Sequence, residues 1–203
     1  MEGFISGLLL GFSLILAIGA QNAFLLKQGL RREYVFLLCL LCAGSDALLL
    51  SVGIFGFAWI AEKIPYVEKY ALVGGVAFLL FYGAKSFWSA LKKDEALIAA
   101  QDKKTPLIAA VLTCLAFTWL NPHVYLDTVL VMGSISTQFP QQKYQFFSGA
   151  VLASFLFFFL LGYGARLLSP LFRQPVAWKI LDVLIGGVMW FIAGTLLTNS
   201  LFR

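Results

Sequence analysis

The sequence predicts an all-helical integral membrane protein, with six transmembrane helices built as two inverted three-helix repeats. Three observations predict it: scarcity of charge, six apolar runs, and a similarity between the two halves. Of the 203 residues, 61% are hydrophobic and 12% charged, and the mean hydropathy is +0.88. An ordinary soluble domain carries about 25% charged residues, enough polar surface to cover its core. This chain has too few, which excludes a soluble enzyme and a disordered chain. At about 20 apolar residues per span, there is room for six spans with short connections and for no further domain.

The first run, Phe4–Leu26, is rich in Gly and carries Gln21 and Asn22. Its start, Met1-Glu2-Gly3, lacks the basic region of a signal peptide, so a retained span is expected. If it enters without crossing, the count is five and the N-terminus moves to the cytoplasmic side. The second run, Tyr34–Ile60, contains Asp46 and the pair Cys39 and Cys42. The third, Tyr66–Leu91, holds Gly74-Gly75, and a polar loop over 92–106 follows. The fourth, Leu107–Thr137, is interrupted at Asn121-Pro122; the fifth is Tyr144–Ser169, and the sixth, Ile180–Leu201, holds Gly186-Gly187. The chain therefore reads as one transmembrane domain, with repeat one over about 1–91 and repeat two over about 107–203.

Eleven of the fifteen Lys and Arg fall in or beside the first, third and fifth connections, which places those connections in the cytoplasm. Net charge is +5, but the basic residues are scattered between apolar runs, so no nucleic-acid surface is expected.

Leu72-Val73-Gly74-Gly75-Val76 in the third run resembles Leu184-Ile185-Gly186-Gly187-Val188 in the sixth. Leu16-Ala17 precedes Asn22 by the spacing at which Leu115-Ala116 precedes Asn121. A three-span unit used twice must be inverted in its second copy, the architecture of secondary transporters with a site at the repeat interface. The Gly pairs are expected to pack the two halves closely. Gly19 and Pro122 mark expected helix breaks, because Pro122 supplies no N–H and disfavours helical geometry at Asn121. Backbone freed inside a bilayer must be buried in protein or line a wet cavity, which points to a polar ligand.

A carboxylate within a span costs about 2.5–3.5 kcal/mol on insertion scales. Asp46 has no basic residue within ten positions, and Asp127 follows the Asn121-Pro122 break. Both are candidate binding or proton-coupling residues, with Gln21, Asn22, Asn121 and His123 beside them. One His and no closely spaced ligands argue against a metal site, and no cofactor is expected. Asp182 is read as a solvated partner of Lys179, and Lys85 as a snorkelling residue. The counterpart of Cys114 in the first run is Ile15, so paired reactive thiols are not expected.

Gly19-Ala20-Gln21-Asn22-Ala23-Phe24, Gln28-Gly29-Leu30-Arg31-Arg32, Ser45-Asp46, the run from Gly74 to Gly83 and Thr118 to Asp127 together resemble the LysE family of amino-acid exporters. The last of these runs, with Met189-Trp190-Phe191, looks like its arginine-exporter branch. The resemblance covers nearly the whole chain. It implies a bacterial inner-membrane exporter of L-arginine, often also of L-lysine or canavanine, driven by the proton-motive force or the membrane potential. The family's two membrane aspartates fall on Asp46 and Asp127. A homodimer in membrane lipid is compatible with Gly- and Phe-rich spans. Two other classes stand beside this one: an exporter of neutral amino acids such as homoserine or threonine, and a non-transporting membrane protein. Neither a nucleophile–base pair nor a docking surface is visible for the latter.

Overall fold

The computed structural model describes residues 1–16, 19–60, 64–91, 105–121, 124–168, 170 and 175–201; all regular structure among them is helical. In chain order the helices are α1 (Glu2–Ile15), α2 (Ala20–Arg31), α3 (Val35–Ile60), α4 (Ile64–Leu91) and α5 (Leu107–Trp119). A π-helix (Tyr125–Val131) then runs into α6 (Met132–Ser136), followed by α7 (Lys143–Gly164) with a 3-10 turn at Ala165–Leu168, and α8 (Pro175–Leu201).

Among the described residues, three stretches are long and apolar enough to cross a bilayer: Val35–Gly56, Lys143–Leu168 and Val176–Thr195. α1 and α2 meet the same criterion as one span bent by 82°, making four. The chain is thus a helical, multi-pass membrane protein. The expected third and fourth spans are represented by the shorter apolar helices Val76–Leu91, Leu107–Trp119 and Asp127–Ser136. Large apolar side chains such as Leu48, Phe81, Leu112, Leu160 and Phe191 are exposed, giving the helices an apolar outer face.

Small residues set the closest approaches. Gly3, Gly7 and Gly11 form one buried stripe of α1, spaced four residues apart so that they share a face. That stripe lies on α7: a Cβ at Gly7 would overlap the Phe146 carbonyl, and one at Gly149 would overlap the Phe4 carbonyl. Residues 3, 7 and 11 meet 142, 146 and 150 in turn, so α1 and α7 run parallel. α3 runs antiparallel to α7, since Cys39 Sγ reaches the Phe158 carbonyl at 3.2 Å while Phe55 meets Phe147 and Tyr144. α4 and α8 are antiparallel too, with Trp190 Nε1 donating to the Leu80 carbonyl at 3.2 Å and Ser89 meeting Asp182.

The described connections and the N-terminal residues pack at the two ends of the bundle. At one end Glu33 accepts from Arg31 at 3.1 Å and from the Thr105 amide at 3.2 Å, while Lys27 and Ser89 bind Asp182. At the other, Gln142 Oε1 accepts from the Gly3 amide at 2.8 Å, and Phe55 packs on Tyr144. α2 ends through paired bonds from the Arg32 and Glu33 amides to the Gly29 and Gln28 carbonyls, with Arg32 left-handed at φ 57°. That cap turns the chain sharply into α3.

Asp182 departs from its expected place. It is fully buried rather than solvated, with Lys27 of α2 and Ser89 of α4 bonded to it. Sequence proximity does not show this burial, because Lys27 lies 155 positions away. Lys85 is exposed, with its Nζ 5.6 Å from the centroid of the Tyr82 ring.

Candidate functional site

Two helix breaks build the site. α1 ends at Ile15 and α2 begins at Ala20, after Gly19 in an extended conformation (φ −108°, ψ 171°). Gly19 offers no side-chain cap, and its carbonyl accepts from the Ala23 amide at 3.1 Å, which leaves the amides before Ala23 without a partner inside α2. Across this break Asn22 Nδ2 donates to the Ile15 carbonyl at 2.9 Å, satisfying a group that the end of α1 leaves without an intrahelical donor. The second break separates α5, ending at Trp119, from the π-helix at Tyr125. Here the Tyr125 hydroxyl donates back to the Trp119 carbonyl at 2.7 Å. In both breaks a side chain of the later helix secures the end of the earlier one.

The π-helix carries Asp127. Its wider turn is a rare geometry that concentrates at functional sites. Gly53 lets α3 lie directly on this segment, a Cβ there coming within 2.8 Å of the Val129 backbone. From α3, Asp46 enters the site buried, and Ser154 Oγ of α7 donates to its Oδ2 at 2.8 Å.

These elements enclose a cavity of about 330 Å3. Gly19, Gln21, Asn22, Asp46, Asn121 and Asp127 all line it, with Thr128 beside them and Leu14, Ile15, Phe158 and Ile192 as apolar wall. Gln21 is buried, and its Nε2 has no hydrogen-bond acceptor of acceptable geometry. No Lys or Arg is among the described residues lining the cavity. Two carboxylates among neutral amides therefore make a place suited to a cation with polar substituents. No group of three or more His, Cys, Asp and Glu that could hold a metal occurs among the described residues.

The other candidates divide. Pro122 and His123 lie outside the described residues. Gly74 and Gly75 lie within α4 at positions whose packing is likewise outside the description. Gly186 is buried against the Phe87 ring, 2.9 Å from a Cβ at that position. Gly187, expected in the same role, is exposed, and a Cβ there would meet nothing within 4 Å. A GG pair puts its two members about 100° apart on a helix, so one glycine at the contact leaves the other outside it.

Sequence reasoning missed Ser154, a single hydroxyl in the Phe-rich fifth run. It also missed the meeting of Cys42 and Cys114, whose sulfurs lie 3.3 Å apart between α3 and α5. The comparison made from the sequence paired the first run with the fourth, whereas this contact joins the second to the fourth.

The family profile described as LysE type translocator matches residues 12–200. The chain is 42% identical over 191 residues to the arginine exporter protein ArgO of Klebsiella pneumoniae (strain 342), covering 94% of this chain and 90% of that protein. It is 43% identical over the same length to the proteins of that name from Escherichia coli (strain K12) and Salmonella schwarzengrund (strain CVM19633). No solved structure matches the chain significantly.

Proposed function

Because the chain belongs to the LysE family of translocators, we propose that it exports basic amino acids, L-arginine first among them, by alternating access across a bacterial inner membrane. The observation that carries this reading is the cavity where α3 and two broken segments bring Asp46 and Asp127 together with Gln21, Asn22 and Asn121. The relatives named as arginine exporters support the substrate class.

A basic amino acid presents a side-chain cation, an α-ammonium and a carboxylate. Asp46 takes the guanidinium, whose planar fork matches a carboxylate in a low-dielectric site. Ser154 orients Asp46 by donating to one of its oxygens. Asp127 receives the cation nearer the exit. Gln21 Nε2 and the N-terminal end of α2 suit the α-carboxylate, since a helix start favours negative charge. Asn121 and Asn22 complete the polar wall. L-lysine and canavanine carry the same pattern of charges and are substrates on this reading.

Six crossing segments in two inverted repeats fit the helix directions. Segments one and five are parallel, two and five antiparallel, three and six antiparallel, as alternating passes require. Rocking of one repeat against the other then exposes the cavity alternately. Outward movement of a net cation opposes an interior-negative potential at about 2.3 kcal/mol per charge per 100 mV. Exchange for a proton, carried on Asp46 or Asp127, removes that cost.

Liposomes containing only this protein test the reading. Preloaded radiolabelled arginine is expected to leave in a protein-dependent way and to be competed by lysine rather than threonine. Competition by threonine or homoserine in place of lysine would assign the neutral-substrate class, and absence of any flux would leave a non-transporting protein.

A further inference from the structure

Away from the cavity, at the end of the bundle where Arg31, Glu33 and Thr105 meet, Asp182 of α8 is fully buried. Lys27 Nζ of α2 pairs with one of its oxygens, and Ser89 Oγ of α4 donates to the other at 3.0 Å. Three elements thus converge on a carboxylate that the transport scheme above leaves unused. Lys27 follows Asn22 by five positions, so the pair lies about 8 Å along α2 from the cavity. Phe24, between them, packs its ring with those of Tyr82 and Phe117, centroids 6.3 and 5.6 Å away. A narrow crevice lined by Phe78, Phe117 and Leu120 adjoins the cavity and shares Ala20, Asn121 and Ile192 with it.

We propose that Asp182 is a loading site for the substrate, where the side-chain ammonium or guanidinium of a basic amino acid binds before it reaches the cavity, Lys27 holding that place in the substrate's absence. This rests on the export reading above. Lys27 is chemically a tethered copy of the lysine side chain, so exchanging it for substrate replaces one cation by another on the same carboxylate. Such an exchange avoids the cost of leaving a buried charge without a partner. The Lys27 side chain is 16% exposed, so it is not sealed within the bundle as Asp182 is. The aromatic cluster of Phe24, Tyr82 and Phe117 is carried in part by the same helix as Lys27, and aromatic rings attract cations. A pair that served only to hold helices would be replaceable by apolar residues of similar volume.

Two measurements test this. On the wild-type protein, reductive methylation of lysines is read by peptide mass spectrometry, with Lys143 as internal reference for reagent consumed by free amino acid. Saturating arginine is expected to raise the Lys27 to Lys143 labelling ratio about threefold or more as Lys27 is released, and threonine to leave it unchanged. An unchanged ratio in protein that binds arginine overturns the loading site and leaves the export reading standing; failure to bind arginine at all overturns both. In liposomes, the double variant Lys27→Met with Asp182→Leu keeps the helices packed without the carboxylate. Its KM for arginine at the loading face is expected to rise about tenfold or more, with kcat changing less. A KM within about twofold of wild type would reduce the pair to a structural clasp.

Discussion

Asp46 is held by one short bond from Ser154, and a hydrogen bond to a charged group is worth about 1.5–3 kcal/mol. Ser154→Ala is therefore expected to weaken arginine binding about tenfold or more while the protein still folds, as isothermal titration in detergent would report. Asp46→Asn keeps the shape and removes the charge, and is expected to abolish export without loss of membrane insertion. The two aspartates were legible in the sequence because a bilayer makes a carboxylate costly wherever it sits. Ser154 was not, because a serine in a helix can satisfy itself on its own backbone and so carries little signal of a distant partner. Asp182 was read as solvated for a related reason: the residues of α2 and α4 that bury and bind it are distant in sequence.

The breaks were visible in Gly19, followed by Gln21 and Asn22 in an apolar run, and in Asn121-Pro122, where proline disfavours a continuous helix. What fills the gaps was not visible, since Asn22 and Tyr125 act through carbonyls six or seven positions back. The glycine contacts were sought in the GG pairs, whereas among the described glycines the closest approach is that of Gly7, in the spaced stripe Gly3, Gly7 and Gly11 on α7. Gly7→Leu must push α1 off the Phe146 carbonyl, and overpacking of this kind costs about 1–3 kcal/mol or more. A lowered melting temperature of the detergent-solubilised protein is expected, with Gly187→Ala, open on all sides, close to wild type. Between α3 and α5, the Cys42 and Cys114 sulfurs are close enough for a membrane-permeant diazene oxidant to join them. Each thiol would lose its hydrogen as the diazene becomes a hydrazine. That bond ties the Asp46 helix to the first half of the broken fourth segment, so flux is expected to stop and to return with a thiol reductant. Continued flux with the disulfide verified by mass spectrometry would show that α3 and α5 move as one body.

At the scale of the molecule, composition alone placed the chain in the bilayer, and the apolar outer face agrees. The number of crossings was harder to read, because hydropathy counts apolar length and is blind to a bend. An apolar run that bends by 82° within it reads as one segment and folds as two helices. The parallel contact of α1 with α7 and the antiparallel contacts of α3 with α7 and of α4 with α8 connect those pieces into a bundle. If a proton is exchanged for each net positive charge, the cycle is electroneutral. Dissipating a pH gradient in liposomes is then expected to slow concentrative arginine transport, while clamping the potential at zero leaves it nearly unchanged. The reverse pattern would point to movement of uncompensated charge.

Every part of this account depends on the cavity carboxylate meeting a cation. Titration of purified wild-type protein and of Asp46→Asn with arginine, each first verified as folded by its melting curve, tests that most directly. Arginine is expected to bind the wild type, with lysine competing, and to lose binding to Asp46→Asn. Equal affinity of the two proteins for arginine would contradict it.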